Sequence, residues 1–199
     1  TKVFREAEDR MYQNKLVESR SARSTILSAL RITLREKSQV TEEHVMKIQN
    51  LARIFGEEVK LLPTDLDRLA LLIAFHDIGN ITIPDEILNK PGPLTEEEWV
   101  VIHKHPENGY RIARSTDELA GIAELILTHH ENWDGSGYPQ GLQKEEIPLL
   151  SRLNAIVTAY DALTRERPYA NTFSDEEALD EMRHGAGNQF DPYLVDVFM

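Results

Sequence analysis

The chain has 199 residues, 41% apolar and 28% charged, enough for one domain with its own core plus an appended element, which excludes collagen-like, low-complexity and wholly disordered readings. Its 22 Lys and Arg against 34 Asp and Glu leave a formal charge of −12, which argues against a DNA-binding surface and means that an anionic substrate must meet a local cation. The absence of cysteine excludes disulfides, thiolate nucleophiles and zinc–thiolate sites, and no stretch approaches the roughly 18 consecutive apolar residues of a membrane span, so the expectation is a cytoplasmic protein.

The chain opens on Thr1 in place of Met, which reads as an excerpt from something longer. Residues 2–37 lack Pro and Gly and are rich in good helix formers, which predicts one long helix or two broken ones. Val3, Ala7, Met11, Leu16, Ile26, Leu27, Leu30 and Leu34 make one apolar stripe. That stripe suits either packing on the chain's own domain or a dimerising linker helix, and the sequence leaves both open. We therefore divide the chain into residues 1–39, an N-terminal helix or pair of helices, and a domain at 40–199.

From Thr41 onward the pattern is that of a compact all-α domain. Thr41 before Glu42-Glu43-His44 and Pro63-Thr64-Asp65 mark helix starts, and Thr95 to Glu98 and Ser174 to Glu177 are capping-box sequences. Leu66 to Phe75 is apolar nearly all round, which predicts a central buried helix. Gly, Pro, Asn and Asp cluster at 79–93 and 133–148, giving two long irregular connections of the kind that serve a site.

Of seven histidines, His44, His76, His105, His129 and His130 sit where metal ligation is plausible. His76 and Asp77 leave the apolar helix side by side, where an unpaired charge is costly and a bound cation would offset that cost. His129 and His130 end a second apolar segment, Leu119 to Thr128, and each can turn toward a different ion. Imidazole and carboxylate ligands without thiolate suit one or two divalent ions drawn from Fe, Mn, Zn, Ni or Co. Two ions roughly 3.5–4 Å apart can bind a phosphate diester and lower the pKa of a bridging water, so the chemistry suggested is phosphoester hydrolysis.

These residues stand in an ordered series: His76-Asp77-Ile78-Gly79; Ile83 to Leu88 with Lys90 to Leu94; His105-Pro106-Glu107; His129-His130-Glu131 with Trp133 to Pro139; and Asp161 to Thr164 with Arg167-Pro168-Tyr169. From Val40 to the C-terminus the chain resembles the HD-GYP branch of the HD metal-dependent phosphohydrolase superfamily. The resemblance implies an all-α HD-domain helical bundle with a long N-terminal linker helix, and hydrolysis of cyclic di-GMP to pGpG or GMP. It implies metal ligands at His44, His76, Asp77, His105, His129 and His130, with Asp77 bridging two ions and Asp77 and His76 at the catalytic centre. It also places Tyr138 and Arg167 near the substrate and leaves Trp133 and Asp134 to shape their loop. The string Ala7 to Lys15 resembles the closing helix of a GGDEF domain, which implies such a domain in cis or in trans as a partner.

Four positions depart from the family pattern. Asn80, at a position the resemblance sets beside the substrate, stands where Lys is usual and so lacks the cation that would help hold the phosphate. Thr158 replaces an aspartate ligand, and a neutral hydroxyl is a poor substitute for an anionic oxygen. Asp161, one turn later, is expected to act through other residues or in the fold itself. Ala170 replaces a basic residue, and Val40 replaces the Glu of three-metal members. The resulting expectation is a tight ion at Asp77, His105, His129 and His130 and a weak one at His44, His76 and Asp77. The alternative is a catalytically impaired module that signals by ligand binding, dimerisation or protein interaction.

Overall fold

A computed structural model describes residues 25–38, 40–165 and 172–199. The GGDEF-like string at 7–15 and the positions of Arg167 and Ala170 lie outside these described residues. Every regular element among the described residues is helical: α1 (25–38), α2 (Glu42–Glu58), α3 (Pro63–Phe75), α4 (Asp85–Leu88), α5 (Glu96–Ile102), α6 (His105–Arg114), α7 (Ala123–Leu127), α8 (Leu149–Thr164), α9 (Asp175–Gly185) and α10 (Pro192–Phe198). A 3₁₀ turn at Ile78–Thr82 follows α3, and shorter ones precede α7 and α8.

The helix starts form as the local sequence dictates. The Thr41 hydroxyl accepts from His44 N at 3.2 Å and caps α2, and reciprocal capping boxes at Thr95/Glu98 and Ser174/Glu177 open α5 and α9. Pro63 sits in the first turn of α3, where its missing N–H has no intrahelical partner to lose. Helix α3 packs against α2 and α8, and Leu69, Leu72 and Phe75 on it are fully buried beside Leu153, Ile156 and Val157 of α8. Each such side chain contributes about 1.5–3 kcal/mol of hydrophobic burial, which holds the C-terminal end of α3 in place.

Helix α1 packs on its own domain: Leu34 is buried in the core, Leu27 and Leu30 lie half-buried against it, and Lys37 Nζ donates to Ile83 O at 2.7 Å. Ile26 and Ile32 face away and are exposed. Among the described residues of the stripe, Leu27, Leu30 and Leu34 thus pack on the domain and Ile26 does not.

Two glycines set the position of α6. A Cβ at Gly79 would overlap the His105 carbonyl, and one at Gly109 would crowd Ile126 and the Gly79 nitrogen. With hydrogen at both positions the 3₁₀ turn lies directly against the start of α6. Asp77, which precedes the turn, and His105, which opens α6, therefore come within reach of one another.

Candidate metal centre

Asp77, His105, His129 and His130 each offer a ligand atom, and these atoms lie within 4.8 Å of one another. His105 Nε2 is 3.4 Å from Asp77 Oδ1, and His129 Nε2 is 3.8 Å from the same oxygen. The Nε2 atoms of His105 and His129 are 3.2 Å apart, and those of His130 and His105 are 3.1 Å apart. His76 Nε2 approaches the other carboxylate oxygen, Oδ2, at 3.5 Å.

The protonation pattern follows from the backbone. Nδ1 of His76, His105 and His129 bonds to the carbonyls of Ile73, Ile102 and Ile126 at 3.1, 2.8 and 2.6 Å. A carbonyl only accepts, so in each ring Nδ1 carries the proton and Nε2 presents a lone pair. Between His105 and His129 the short Nε2–Nε2 separation is therefore acceptor against acceptor in the neutral rings, whereas a neutral His130 can donate an Nε2–H to the lone pair on His105 Nε2. Burial lowers the His76 pKa, takes His105 down to about 4 and takes His130 down to about 2, so these three rings are neutral near pH 7. For Asp77, burial alone would push the carboxyl up, but attraction to the imidazoles of His76, His105 and His129 when these carry a second proton, with a hydrogen bond from His129, overrides it and holds the carboxyl well below the usual range. A carboxylate oxygen and imidazole nitrogens converge, which is the donor set of a divalent cation, and the carbonyl bonds to Nδ1 are the outer partners that fix such rings.

The other sequence-derived candidates occupy a cavity of about 360 Å³ beside this cluster, lined by His44, His76, Asp77, Asn80, Thr158 and Asp161 together with residues of α1. His44 is not among the four clustered residues. Its Nε2 meets Asp161 Oδ2 at 3.0 Å and Arg165 Nη1 at 3.5 Å. An Nε2–H donated to Asp161 leaves no lone pair on that nitrogen for a metal. The Thr158 hydroxyl turns back on its own helix and donates to Asn154 O at 2.8 Å. Asn80 is nearly buried in the cavity wall.

Tyr138 stacks on the His130 ring with centroids 4.9 Å apart and rings 18° from parallel, and its backbone N–H donates to His130 O. Burial and the nearby Asp77 carboxylate push its phenol pKa up, so it stays a neutral donor. Trp133 and Asp134 belong to the loop framework: their backbone N–H groups donate to Gln189 O and Asn188 O.

Three contributors escaped sequence reasoning. Glu131 is buried, and its two carboxylate oxygens accept from Gln140 N at 2.7 Å and Leu142 N at 3.0 Å, strapping the loop that carries Tyr138 to the end of α7. His103 packs on the other side of Tyr138 at 4.2 Å and next to Trp99 at 5.5 Å. Arg165 reaches into the cavity from the end of α8. Glu131 directly after the paired histidines was a local signal; for the other two the contact is visible only in the fold.

A family model described as HD domain matches residues 14–194 of the chain. The chain is 35% identical over 192 residues to the 3'3'-cGAMP-specific phosphodiesterase 2 of Vibrio cholerae, covering 94% of this chain and 36% of that protein. It is 36% identical over 176 residues to a cyclic di-GMP phosphodiesterase of Thermotoga maritima, covering 87% of this chain and 48% of that protein. Among solved structures, a cyclic GMP-AMP specific phosphodiesterase of V. cholerae superposes with a TM-score of 0.64 at 25% identity, covering 86% of this chain and 47% of the other. The chain spans less than half the length of each of these relatives.

Proposed function

The chain belongs to the HD domain family, and from that premise we propose that it is a metal-dependent phosphodiesterase acting on a cyclic dinucleotide, opening cyclic di-GMP to pGpG or GMP. The observation that carries this reading is the convergence of potential ligand atoms from Asp77, His105, His129 and His130, all within 4.8 Å of one another. A divalent ion held by these four residues supplies Lewis acidity toward a phosphoryl oxygen and lowers the pKa of water. The chain's own residues do the rest. Asp77 stays ionised, the backbone carbonyls of Ile73, Ile102 and Ile126 keep three imidazoles in one tautomer, and Tyr138 presents a neutral hydroxyl beside His130. A second ion at His44, His76 and Asp77 is weaker, because His44 is engaged by Asp161 and Thr158 offers no anionic oxygen. As protein partners we propose a GGDEF domain and a second copy of this chain, the latter supported by the exposed Ile26 and Ile32 of α1.

The same two features favour a second reading, a module that binds the nucleotide and one ion without useful turnover. Metal analysis of protein purified without chelator, then incubation with cyclic di-GMP or 3'3'-cGAMP and Mn(II) or Fe(II), separates them. Product formation abolished by Asp77→Ala is the expected result. Bound metal without product, with turnover appearing in a Thr158→Asp, Asn80→Lys double variant, supports the second reading. Protein that binds no ion overturns both.

A further inference from the structure

The cavity beside the clustered ligands has cations in its wall, which a chain of net charge −12 needs if it is to receive an anionic nucleotide. Three of them are engaged. Arg35 pairs with Glu42 at 2.8 Å, Arg31 lies 3.9 Å from the same carboxylate and over the Phe75 ring, and Lys37 bridges Ile83 O and Asp85. Arg165 has no carboxylate within salt-bridge distance among the described residues, and its one polar contact there is His44 Nε2 at 3.5 Å. Its backbone is fixed: Arg165 N donates to Asp161 O at 2.9 Å, so the guanidinium starts from the last turn of α8, where the helix dipole favours a cation. The guanidinium lines the cavity beside His44, with His76, Asp77 and Asp161 among the other lining residues, and Asn80 in the same wall carries no charge.

We propose that Arg165 is a phosphate-binding residue for the cyclic dinucleotide, its guanidinium meeting a phosphate oxygen in this cavity beside His44. A guanidinium suits this task because its planar fork bonds two phosphate oxygens at once. This rests on the functional reading above and adds what holds the substrate where Thr158 offers no anionic oxygen to a second ion.

The test is cyclic di-GMP affinity by calorimetry on chelator-treated protein, which reads binding independently of turnover, with bound metal and melting temperature measured on the metal-loaded form. Arg165→Ala weakens binding by roughly 10–100-fold, the loss of a charge-assisted contact, and Arg165→Lys by less. Both keep the wild-type metal content and melting temperature, and Arg183→Ala, exposed and paired to Asp180 on α9, leaves affinity unchanged. Unchanged affinity in Arg165→Ala overturns the assignment alone. If Arg165→Ala melts lower, Arg165→Lys decides: affinity lost without a change in melting supports the assignment, and wild-type affinity overturns it. Wild-type protein that binds no cyclic dinucleotide, with or without metal, overturns the functional reading and this assignment together.

Discussion

The imidazoles of His105 and His129 point Nε2 at Nε2 across 3.2 Å, each held there by an Nδ1–H bonded to the carbonyl of an isoleucine three residues earlier. Rings locked in this way cannot turn a proton toward one another, so the pair gains only when a cation enters. The contact is thereby unfavourable in the neutral rings at the place where a bound cation would stabilise the protein.

Binding of Mn(II) or Fe(II) should raise the stability of the domain, by about 2.7 kcal/mol when free metal is a hundred times its dissociation constant. Thermal melts with metal and with chelator check this. Superimposable curves would count against a cation site.

Loss of a clustered ligand should cost more metal affinity than the roughly 10–100-fold lost with a supporting partner. Asp77→Ala and His129→Ala should therefore purify nearly metal-free by elemental analysis, whereas Asp161→Ala, which strips His44 of its partner, should keep the ion at the four-residue site.

Acid should destabilise the metal-free domain over a defined window. Burial first, and the neighbouring imidazoles next, depress His105 to about 4 from the usual 6.5, and His76 and His130 are lowered as well. Between these values the unfolded chain binds more protons than the folded one, so stability rises with pH there and falls as pH drops from 6.5 toward 4. Asp77, held low in the folded state, acts in the same direction at still lower pH. Urea unfolding of chelator-treated protein at pH 7, 5.5 and 4.5 measures it; a flat profile, or an equal slope in a His105→Ala, His130→Ala variant, would refute the assignment.

Gly79→Ala should cost about 3 kcal/mol or more and lower metal affinity, because its Cβ would overlap the His105 carbonyl and push the start of α6 away from Asp77. Gly121→Ala meets nothing within 4 Å and should be neutral or slightly stabilising. Denaturant midpoints and metal titrations of the two variants distinguish a local packing clash from a general intolerance of substitution.

Thr158→Asp should raise the bound metal from one ion per chain toward two. Its side chain lines the cavity beside His44, His76 and Asp77 and would bring the anionic oxygen that the threonine hydroxyl, spent on Asn154 O, does not provide. Elemental analysis after metal loading reads the ratio.

The helical class and the helix starts were legible because capping is local: Thr41, Thr95 and Ser174 each find their partners within three residues, as their sequences foretell. The gathering of Asp77, His105, His129 and His130 was legible from the family resemblance, which sets these four residues together. The place of His44 was not, since its partner Asp161 is 117 residues away and no periodicity links them. Arg165 and His103 escaped for the same reason, being unremarkable residues whose meaning comes from what lies opposite.

By itself, then, the sequence determined the period of the elements and the chemistry available to the site, because propensity, capping and donor type belong to single residues and their near neighbours. Only the packing of α3, α6, α7 and α8 decided which lone pairs face one another, which histidine is spent on a carboxylate and which guanidinium faces the cavity. Those contacts join segments far apart in the chain, and their geometry is set by close packing, down to the missing Cβ of Gly79 that lets the turn after Asp77 lie against His105.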